Sequence, residues 1–373
     1  MGRRAEPTLN RLRSGRVTSV DRPARPAAAP AGLRARWLVA GLVAVVGTLV
    51  AGVALGPVSL PPGSVALELL NLLPGVRLES GLTEREIAIV TELRLPRVVL
   101  GLLVGGLLAL AGGCYQGVFR NPLADPYLLG VAAGAGLAVT AAIALGAGGE
   151  PGRLPMTVPL AAFVGALGAV LMTYLLGSAG GRGRSPATLI LAGVAVSAFL
   201  SAGQTYLLQR NADSIQQVYS WLLGRLATAG WGDVRLVLPY FVVTVVVVLL
   251  HRRELDVLSL GDDEAGSLGL HPQRSRYLLI AAASLGTAAA VSATGLIGFV
   301  GIIVPHTVRL LAGSSYRVIL PLSLLFGGAF LALTDVVART AAAPGEVPIG
   351  VVTALLGGPF FVLVLRTARR MLA

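Results

Sequence analysis

Lysine is absent from this 373-residue sequence, and all 30 of its basic residues are arginine. A Walker-type phosphate-binding loop needs a lysine to reach the nucleotide phosphates, so the chain does not hydrolyse ATP with that machinery. The single cysteine, Cys114, excludes an internal disulfide and a four-cysteine metal site. The sequence also holds no His, Cys and carboxylate cluster and no nucleophile–base arrangement. We therefore assign no metal ligand, cofactor or catalytic residue.

Charged residues of either sign are scarce, at 13% of the chain against 55% that are hydrophobic. A soluble protein carries about a quarter charged residues, and here the deficit falls in long uncharged runs. The net charge of +12 could fit nucleic acid, but nine arginines stand in the first 36 residues and the others flank apolar runs. We therefore predict a lipid bilayer as the partner surface, and no nucleic acid.

Uncharged runs long enough to cross a bilayer recur along the chain. A helix needs about 20 apolar residues to cross the hydrocarbon, and backbone groups inside lipid must be hydrogen-bonded internally. The run Tyr277–Val308 is too long for one span, and its glycines with Pro305 predict a break near Ser292–Gly298. The sequence thus predicts an all-α integral membrane protein with about ten spans. The others are Trp37–Leu55, Val98–Val118, Tyr127–Gly149, Leu154–Gly181, Ser185–Gln209, Leu236–Leu250, Val318–Thr334 and Val347–Leu365.

The segments outside the spans predict the domain organisation and the orientation. Residues 1–36, rich in Arg, Pro and Ala, predict a disordered cytoplasmic tail, and residues 37–370 form the transmembrane domain. Ser64–Leu73 and Thr83–Leu93 predict short helices at the membrane surface. An even number of spans puts both termini on one side. With the N-terminus inside, 21 arginines lie inside and 9 outside, so we expect cytoplasmic termini.

Glycine is abundant, at 48 residues, and much of it lies inside the predicted spans. Pairs four residues apart, such as Gly101–Gly105 and Gly130–Gly134, let helix backbones approach closely. This pattern predicts dense packing of the helix bundle.

Acidic residues are nearly absent from the predicted spans, and Asp335 is the exception. Arg339 follows it by one helical turn, a spacing that favours a local ion pair. His306, directly after Pro305, is interpreted as a packing residue rather than a ligand. Because transporters driven by protons or sodium place acids near the bilayer midplane, we expect this chain to be driven by a partner protein.

A docking element for such a partner is predicted between the sixth and seventh spans. Ser259 and Asp262 are candidate helix N-caps, and acids in the first turn suit the helix dipole. Gly269 and Pro272 give a stop signal. The pattern predicts a short cytoplasmic helix within Ser259–Leu270, with an ordinary solvated loop as the alternative. The leucines near its ends are Leu260, Leu268 and Leu270.

Four ordered stretches between Arg94 and Arg366 carry a family resemblance. They are Leu93–Arg97; Gly112–Gly130; Ser259–Leu270; and Gly295–His306 with Thr334–Arg339, Pro344–Gly350 and Gly357–Phe360. On these residues the chain resembles the FecCD-type permeases, which are subunits of ABC importers for ferric siderophores, haem and vitamin B12.

The resemblance implies a type II ABC importer permease with ten helices per subunit, in the cell membrane of a bacterium. It implies a homodimer, or a pair with a close paralogue, two separate ATPase subunits and an extracytoplasmic substrate-binding protein. ATP hydrolysis then belongs to the partner, and this chain is not an enzyme. Ser259–Leu270 becomes the coupling helix that sits in a cleft of the ATPase. Its contact residues are Ser259, Leu260, Gly261, Asp262, Asp263, Glu264, Ala265, Leu268 and Gly269.

The resemblance also implies roles for polar residues elsewhere. Arg94, Arg97 and Arg339 match positions that dock acidic residues of the binding protein, with lipid headgroups as the alternative contact. A rigid cytoplasmic turn supports the ATPase contact; its residues are Arg120, Asn121, Pro122, Asp125 and Pro126. The pathway is expected to be largely apolar. Its polar candidates, which could equally form interhelical hydrogen bonds, are Gln116, Ser197, Ser201 and Gln204.

The cargo is open at this stage, since siderophore, haem and cobalamin permeases share these motifs. A ferric siderophore is the leading prediction, because it is the commonest assignment in the family. A secondary transporter would need buried acids and paired broken helices. A polytopic membrane enzyme would need a catalytic constellation, which the sequence does not show.

Overall fold

The computed structural model describes residues 33–56, 58–146, 157–178, 186–343 and 345–370. Within these ranges the regular elements are helices, and no strand occurs. Seven helices are long and apolar enough to cross a membrane, and three shorter apolar helices accompany them. Together they match the predicted number and confirm an all-helical membrane protein.

The helices follow one another with short connections. The first half contains α1 (Ala35–Ala54), α2 (Pro62–Asn71), α3 (Glu84–Ala88), a π-helical turn (Ile89–Arg94), α4 (Leu95–Val118), α5 (Val131–Ala144), α6 (Thr157–Ser178) and α7 (Pro186–Arg210). The second half contains α8 (Ile215–Leu222), α9 (Trp231–Leu250), α10 (Arg252–Leu258), α11 (Asp262–Ser267), α12 (Pro272–Thr294), α13 (Val300–Ala312), α14 (Tyr316–Thr340) and α15 (Ile349–Arg370).

The core of the bundle surrounds α4. The apolar window of α4 is 83% buried, and those of α12 and α14 are 72% and 67% buried, whereas those of α1, α6, α7 and α9 are at most 28% buried. A helix that is apolar all round and buried on all sides is a core helix. Helices α1, α6, α7 and α9 instead present apolar side chains outward, as lipid-facing or subunit-facing helices do.

Glycine allows α4 and α14 to touch along their backbones. A methyl group added to Gly105 would collide with the carbonyl of Gly327, and one added to Gly327 would collide with Ala109. Gly134 of α5 and Gly165 of α6 meet in the same way. The predicted close packing is therefore confirmed at Gly105 and Gly134, and it replaces the apolar contacts that drive association in water.

The long apolar run is interrupted where the sequence predicts a break. α12 ends at Thr294, and α13 begins at Val300. Gly295 and Phe299 have φ of 73° and 68°, which the right-handed helix does not accommodate. A side chain on Gly295 would also collide with the carbonyl of Trp221, so glycine is required there for conformation and for space.

The segment Thr83–Leu93 is not a separate surface helix, and that prediction is wrong. Thr83 accepts a hydrogen bond from the Glu86 N–H at 3.4 Å and donates its own N–H to the Glu86 carboxylate at 2.8 Å. This capping box starts α3. The chain then continues through the π-helical turn into α4 without leaving helical conformation. The other predicted short helix, Ser64–Leu73, is confirmed as α2, Pro62–Asn71.

The fifth helix begins later than its predicted start at Tyr127. The Asp125 carboxylate accepts the Tyr127 N–H at 2.7 Å, and Gly130 has φ of 85°. Both features belong to a turn, and α5 starts only at Val131. The predicted span ends at Gly149, Leu154, Gly181 and Ser185, and residues 1–32 of the predicted tail, lie outside the described residues.

Candidate functional site

Two polar clusters lie at opposite ends of the central helix. Arg97 belongs to the first turn of α4, and Arg120 follows its last residues. A helix of this length spans about 36 Å at 1.5 Å per residue, which is enough to cross the hydrocarbon core. We call the Arg97 end the mouth end and the Arg120 end the coupling end.

At the coupling end, α10 is fixed to the start of α14 through Asp256. Its carboxylate accepts the Ser315 hydroxyl at 2.7 Å and the Tyr316 N–H at 2.6 Å. Leu255 and Leu258 of the same helix are fully buried in the bundle core. The chain that leads into the coupling segment, Ser259–Leu270, is therefore anchored to a core helix by polar and apolar contacts.

Asp262 joins α11 to two further core helices. Its Oδ1 accepts Arg120 Nη2 at 2.5 Å and Arg276 Nη2 at 2.9 Å, and its Oδ2 accepts Arg276 Nη1 at 3.3 Å. Arg276, in the first turns of α12, has a side chain that is 0% exposed. The hydrogen bonds from Arg276 hold the pKa of Asp262 below its ordinary value. The carboxylate thus stays charged at physiological pH.

The predicted helix caps in this segment are wrong. Ser259 follows the last residue of α10, and its hydroxyl donates to the Asp256 carbonyl at 2.6 Å. Gly261, with φ of 139°, precedes α11 and provides no capping side chain. Asp262 is the first residue of α11, and its carboxylate binds arginines instead of the helix N-terminus. Long-range ion pairing has replaced local capping because two arginines converge on this position.

The outward face of the coupling segment is partly apolar. Leu260 is 62% exposed and Leu268 is 65% exposed. Asp263, Glu264 and Gly269 are exposed with them, while Ala265 between them is fully buried. Two large exposed apolar side chains beside acids form a small patch of the kind that marks a protein–protein contact.

The turn after α4 is tightly built. The Asn121 side chain accepts the Leu123 N–H at 2.9 Å, two residues on, as Asp125 does with Tyr127. Arg120 has φ of 51° and pairs with Asp262. Pro122 and Pro126 lie in the same turn, and Pro126 packs against Gly301 of α13. The turn therefore has the predicted rigidity and contacts the coupling segment directly, whereas its role toward an ATPase stays a prediction.

At the mouth end, Arg97 binds two carboxylates. It contacts Asp335 of α14 at 2.8 Å and Glu346, in the loop after α14, at 2.9 Å. Arg339 also approaches Asp335, at 3.6 Å, which confirms the local pair predicted from their spacing. Arg97 holds the pKa of Glu346 below its ordinary value. These side chains border a cavity of about 680 Å³, the mouth cavity. Other residues that line it are Gln216, Tyr219, Ser220 and Arg225.

Two of the predicted docking arginines are buried, contrary to the expectation of exposed charges. Arg94 donates to the carbonyls of Val53 at 2.8 Å and Ala54 at 3.1 Å, and also to that of Val58. Arg339 is 3% exposed and donates to the Gly52 carbonyl. Both arginines cap the carbonyl end of α1, where a helix has unsatisfied acceptors and negative partial charge.

The pathway candidates divide into two groups. Gln116 is buried, donates to the Gly301 carbonyl at 3.3 Å and accepts from Arg309 at 2.9 Å, as its alternative interpretation expected. On α7, Ser201 is exposed, while Ser197 and Gln204 are half-buried and lie against α5 at Gly130 and Gly136.

His306 packs edge-on against Phe360, with ring centroids 5.8 Å apart. Among the described residues its Nδ1 has no hydrogen-bond partner. The described residues also contain no group of three or more metal-ligating side chains.

Several residues at these two ends were missed by sequence reasoning. Glu346 stands inside a stretch that carries the resemblance, and that was an available signal. Arg276 was counted only as a charge beside a span, and Asp256 as part of a loop. Nothing local marks either residue, because their partners lie on distant parts of the chain.

The chain with these two polar ends also matches a known family. The model of the FecCD transport family covers residues 42–367, which is most of the length. The chain belongs to the FecCD transport family. It is accordingly the permease of an ABC importer, as the resemblance implied.

Three relatives show the range of this family. The cobalamin import system permease protein BtuC of Halobacterium salinarum is 43% identical over 304 residues, 82% of this chain and 80% of its own length. The hemin transport system permease protein HmuU of Yersinia pestis is 38% identical over 282 residues, 74% of this chain and 82% of its own length. The Fe(3+) dicitrate transport system permease protein FecD of Escherichia coli is 36% identical over 277 residues, 74% of this chain and 85% of its own length.

A solved structure shares the fold along nearly the whole chain. It is an inward-facing conformation of a metal-chelate type ABC transporter, and its chain superposes with a TM-score of 0.77 at 28% identity. The match covers 89% of this chain and 99% of that one. This FecCD protein is therefore a multi-pass membrane permease with the architecture of an importer subunit.

Proposed function

We propose that this FecCD permease carries a metal chelate, with an iron–siderophore complex as the first candidate cargo. One observation supports this most strongly. An apolar docking patch and a polar mouth cavity lie at opposite ends of the same buried helix, α4. A permease driven from one side and loaded from the other needs such an arrangement, and the described spans offer few acids for ion coupling.

The proposed partners follow from the two ends. Two ABC ATPase subunits would bind the coupling segment, where Leu260 and Leu268 are exposed. An extracytoplasmic binding protein would deliver cargo at the mouth end. A second copy of this chain, or a close paralogue, would complete the pathway, with α7 carrying the polar candidates Ser197, Ser201 and Gln204. The coupling end and both termini would then be cytoplasmic.

Docking of the binding protein through Arg94, Arg97 and Arg339 stays a proposal, and their surroundings modify it. Arg97 is the one that lines the mouth cavity, where its charge is shared with Asp335 and Glu346. Arg94 and Arg339 would act indirectly, by holding the end of α1 and the loop that follows it in place. Charges on such a face set register and encounter rate more than affinity.

Cobalamin is the second candidate cargo. It is favoured by the 43% identity to the cobalamin import system permease of Halobacterium salinarum, which extends over 82% of this chain. The haem and ferric citrate permeases are 38% and 36% identical. These values are too close to decide the cargo, because the binding protein selects it before the permease is reached.

Uptake into cells that lack this gene tests the proposal. Restoring the gene should restore energy-dependent uptake of labelled ferric siderophore, and unlabelled haem and cobalamin should not compete. If labelled cobalamin uptake returns instead, the second candidate is correct. If no chelate is taken up by cells in which the complex is assembled, the proposed function is wrong.

A further inference from the structure

We propose that α12 is the rod that carries movement from the coupling segment to the mouth cavity, and that Asp262 is the positioning residue that fastens the segment to it. This inference rests on the proposed function, since it assigns a route to the movement that an ATPase would produce. It is carried by contacts at both ends of α12, one ionic and one through the backbone.

At the coupling end, the contact between Asp262 and Arg276 is built to persist. Arg276 is 0% exposed, and Asp262 is its acidic partner in the described part of the chain. Two guanidinium nitrogens face the two carboxylate oxygens, at 2.9 and 3.3 Å. Separation would leave a buried cation without a counter-charge, which is far more costly than breaking an exposed pair. Asp262 and Arg276 therefore move together.

The link between α11 and α12 is too short to absorb movement. The Gly269 N–H donates to the Gly266 carbonyl at 3.0 Å, and the Leu270 N–H donates to the Ala265 carbonyl at 3.0 Å. These bonds close the C-terminal end of α11. Pro272 then starts α12, where its fixed φ suits the first helical turn. A displacement of α11 is thus passed to α12 rather than lost in a flexible loop.

At the mouth end, α12 holds the floor of the mouth cavity. The Thr294 carbonyl, the last of the helix, accepts the Arg225 N–H at 2.8 Å. Gly224 packs so closely on the carbonyl of Leu296, just beyond the helix, that a methyl group on Gly224 would lie 2.7 Å from that oxygen. Arg225 and Gly224 both line the mouth cavity. Axial movement of α12 would therefore displace these two residues directly.

Arg120 differs from Arg276 and provides the contact that can be released. Its side chain is 36% exposed, so water can replace Asp262 when the pair separates, and the contribution of the pair is small. Arg120 belongs to the turn after α4. The coupling segment can therefore slide relative to α4 while it remains fastened to α12.

Thiol labelling of the mouth cavity tests the rod. Ser220 is exposed in that cavity, and the single native cysteine, Cys114, is 0% exposed. A Ser220→Cys chain, assembled with its ATPase and binding protein in lipid nanodiscs, reports on the cavity through its rate of reaction with a water-soluble maleimide. Addition of ATP should change that rate by about fivefold or more, as coupled sites do.

The variant Asp262→Asn should abolish this ATP-dependent change while the complex still assembles and hydrolyses ATP. The control Glu254→Gln, on the neighbouring helix α10, should keep the change, as should Arg120→Gln, which removes only the releasable contact. An assembled Asp262→Asn complex that keeps the full change overturns the inference.

A second pair of variants covers the case in which Asp262→Asn fails to assemble. Arg225→Pro removes the N–H that binds the Thr294 carbonyl, whereas Arg225→Ala keeps it. The proline variant should lose the change in labelling and retain ATP hydrolysis, and the alanine variant should retain both. Equal behaviour of the two variants refutes the rod. Failure of the unsubstituted complex to transport any chelate would instead refute the proposed function.

Discussion

At the scale of single residues, Asp335 concentrates the electrostatics of the mouth end. Its side chain is 3% exposed, and two arginines, Arg97 and Arg339, neutralise it. A buried carboxylate of this kind is tolerated only when it is paired and hydrogen-bonded. The same cluster ties α14 to α4 and, through Glu346, to the loop that leads into α15.

Replacing Arg97 by Gln should destabilise the protein by about 3–5 kcal/mol, the usual cost of removing one partner from a buried ion pair. Asp335 would keep only Arg339, at 3.6 Å. Thermal unfolding in detergent measures the effect. The control Glu346→Gln removes a carboxylate that is 37% exposed and should cost less than about 1 kcal/mol. Equal losses for the two variants would contradict this assignment.

The pH dependence of the mouth end should follow Glu346. Arg97 lowers the pKa of this carboxyl from its ordinary value of 4.5. A carboxyl with a depressed folded-state pKa contributes stability that is present above the unfolded-state pKa and is lost as pH falls through the folded-state value. Thermal stability of the wild type should therefore lose an additional contribution only below pH 4.5, and Glu346→Gln should lack that contribution. An identical acid limb in both proteins would exclude it.

Sequence reasoning at this scale succeeded where partners are close in the chain. Asp335 and Arg339 are one turn apart, and their pair is present. Arg97 and Asp335 are separated by 238 positions, and Arg94 binds carbonyls about the end of α1. Neither contact has a local signature, because helix packing creates both.

At the scale of helices, the stability of the bundle depends on the contact between α4 and α14. Gly105→Ala should destabilise the protein by about 1–3 kcal/mol, the usual cost of overpacking a core, because the new methyl group meets the Gly327 carbonyl. The control is Gly168→Ala on α6, where a methyl group meets nothing within 4 Å. Thermal unfolding should show a lower midpoint for the first variant and an unchanged or higher one for the second. A stable Gly105→Ala protein would mean that the two helices can separate freely.

The exposed leucines of the coupling segment should carry much of the ATPase contact. The double variant Leu260→Asp with Leu268→Asp should reduce co-purification of the ATPase at least tenfold, because buried interface anchors are worth about 2 kcal/mol or more each. Leu73→Asp, at a leucine between α2 and α3 that is 53% exposed, serves as the control and should leave co-purification unchanged. Undiminished co-purification of the double variant would place the ATPase elsewhere.

Helix existence was predictable because apolar run length is a strong signal in a membrane protein. The break at Gly295 was predictable for a related reason, since one run exceeded the length of a span. Helix starts were less predictable. Ser259 and Asp262 have the composition of caps, yet Asp262 binds Arg276 and Arg120, and no local rule anticipates such partners.

At the scale of the whole molecule, the permease function should not need the N-terminal tail. The match to the FecCD transport family begins at residue 42, and α1 begins at Ala35. Removal of residues 1–30 should leave chelate uptake intact, measured in cells with equal amounts of inserted protein. Lost uptake by a correctly inserted truncation would give the tail a role in transport.

The central place of α4 has a consequence for how the protein is made. During synthesis α4 enters the bilayer early, whereas α14, whose backbone it touches at Gly105, is made only after most of the other spans. Until then the glycine-lined face of α4 must rest against lipid or a temporary protein neighbour. A chain that stops before Tyr316 would expose that face permanently, and such fragments should be recognised and degraded as unassembled spans.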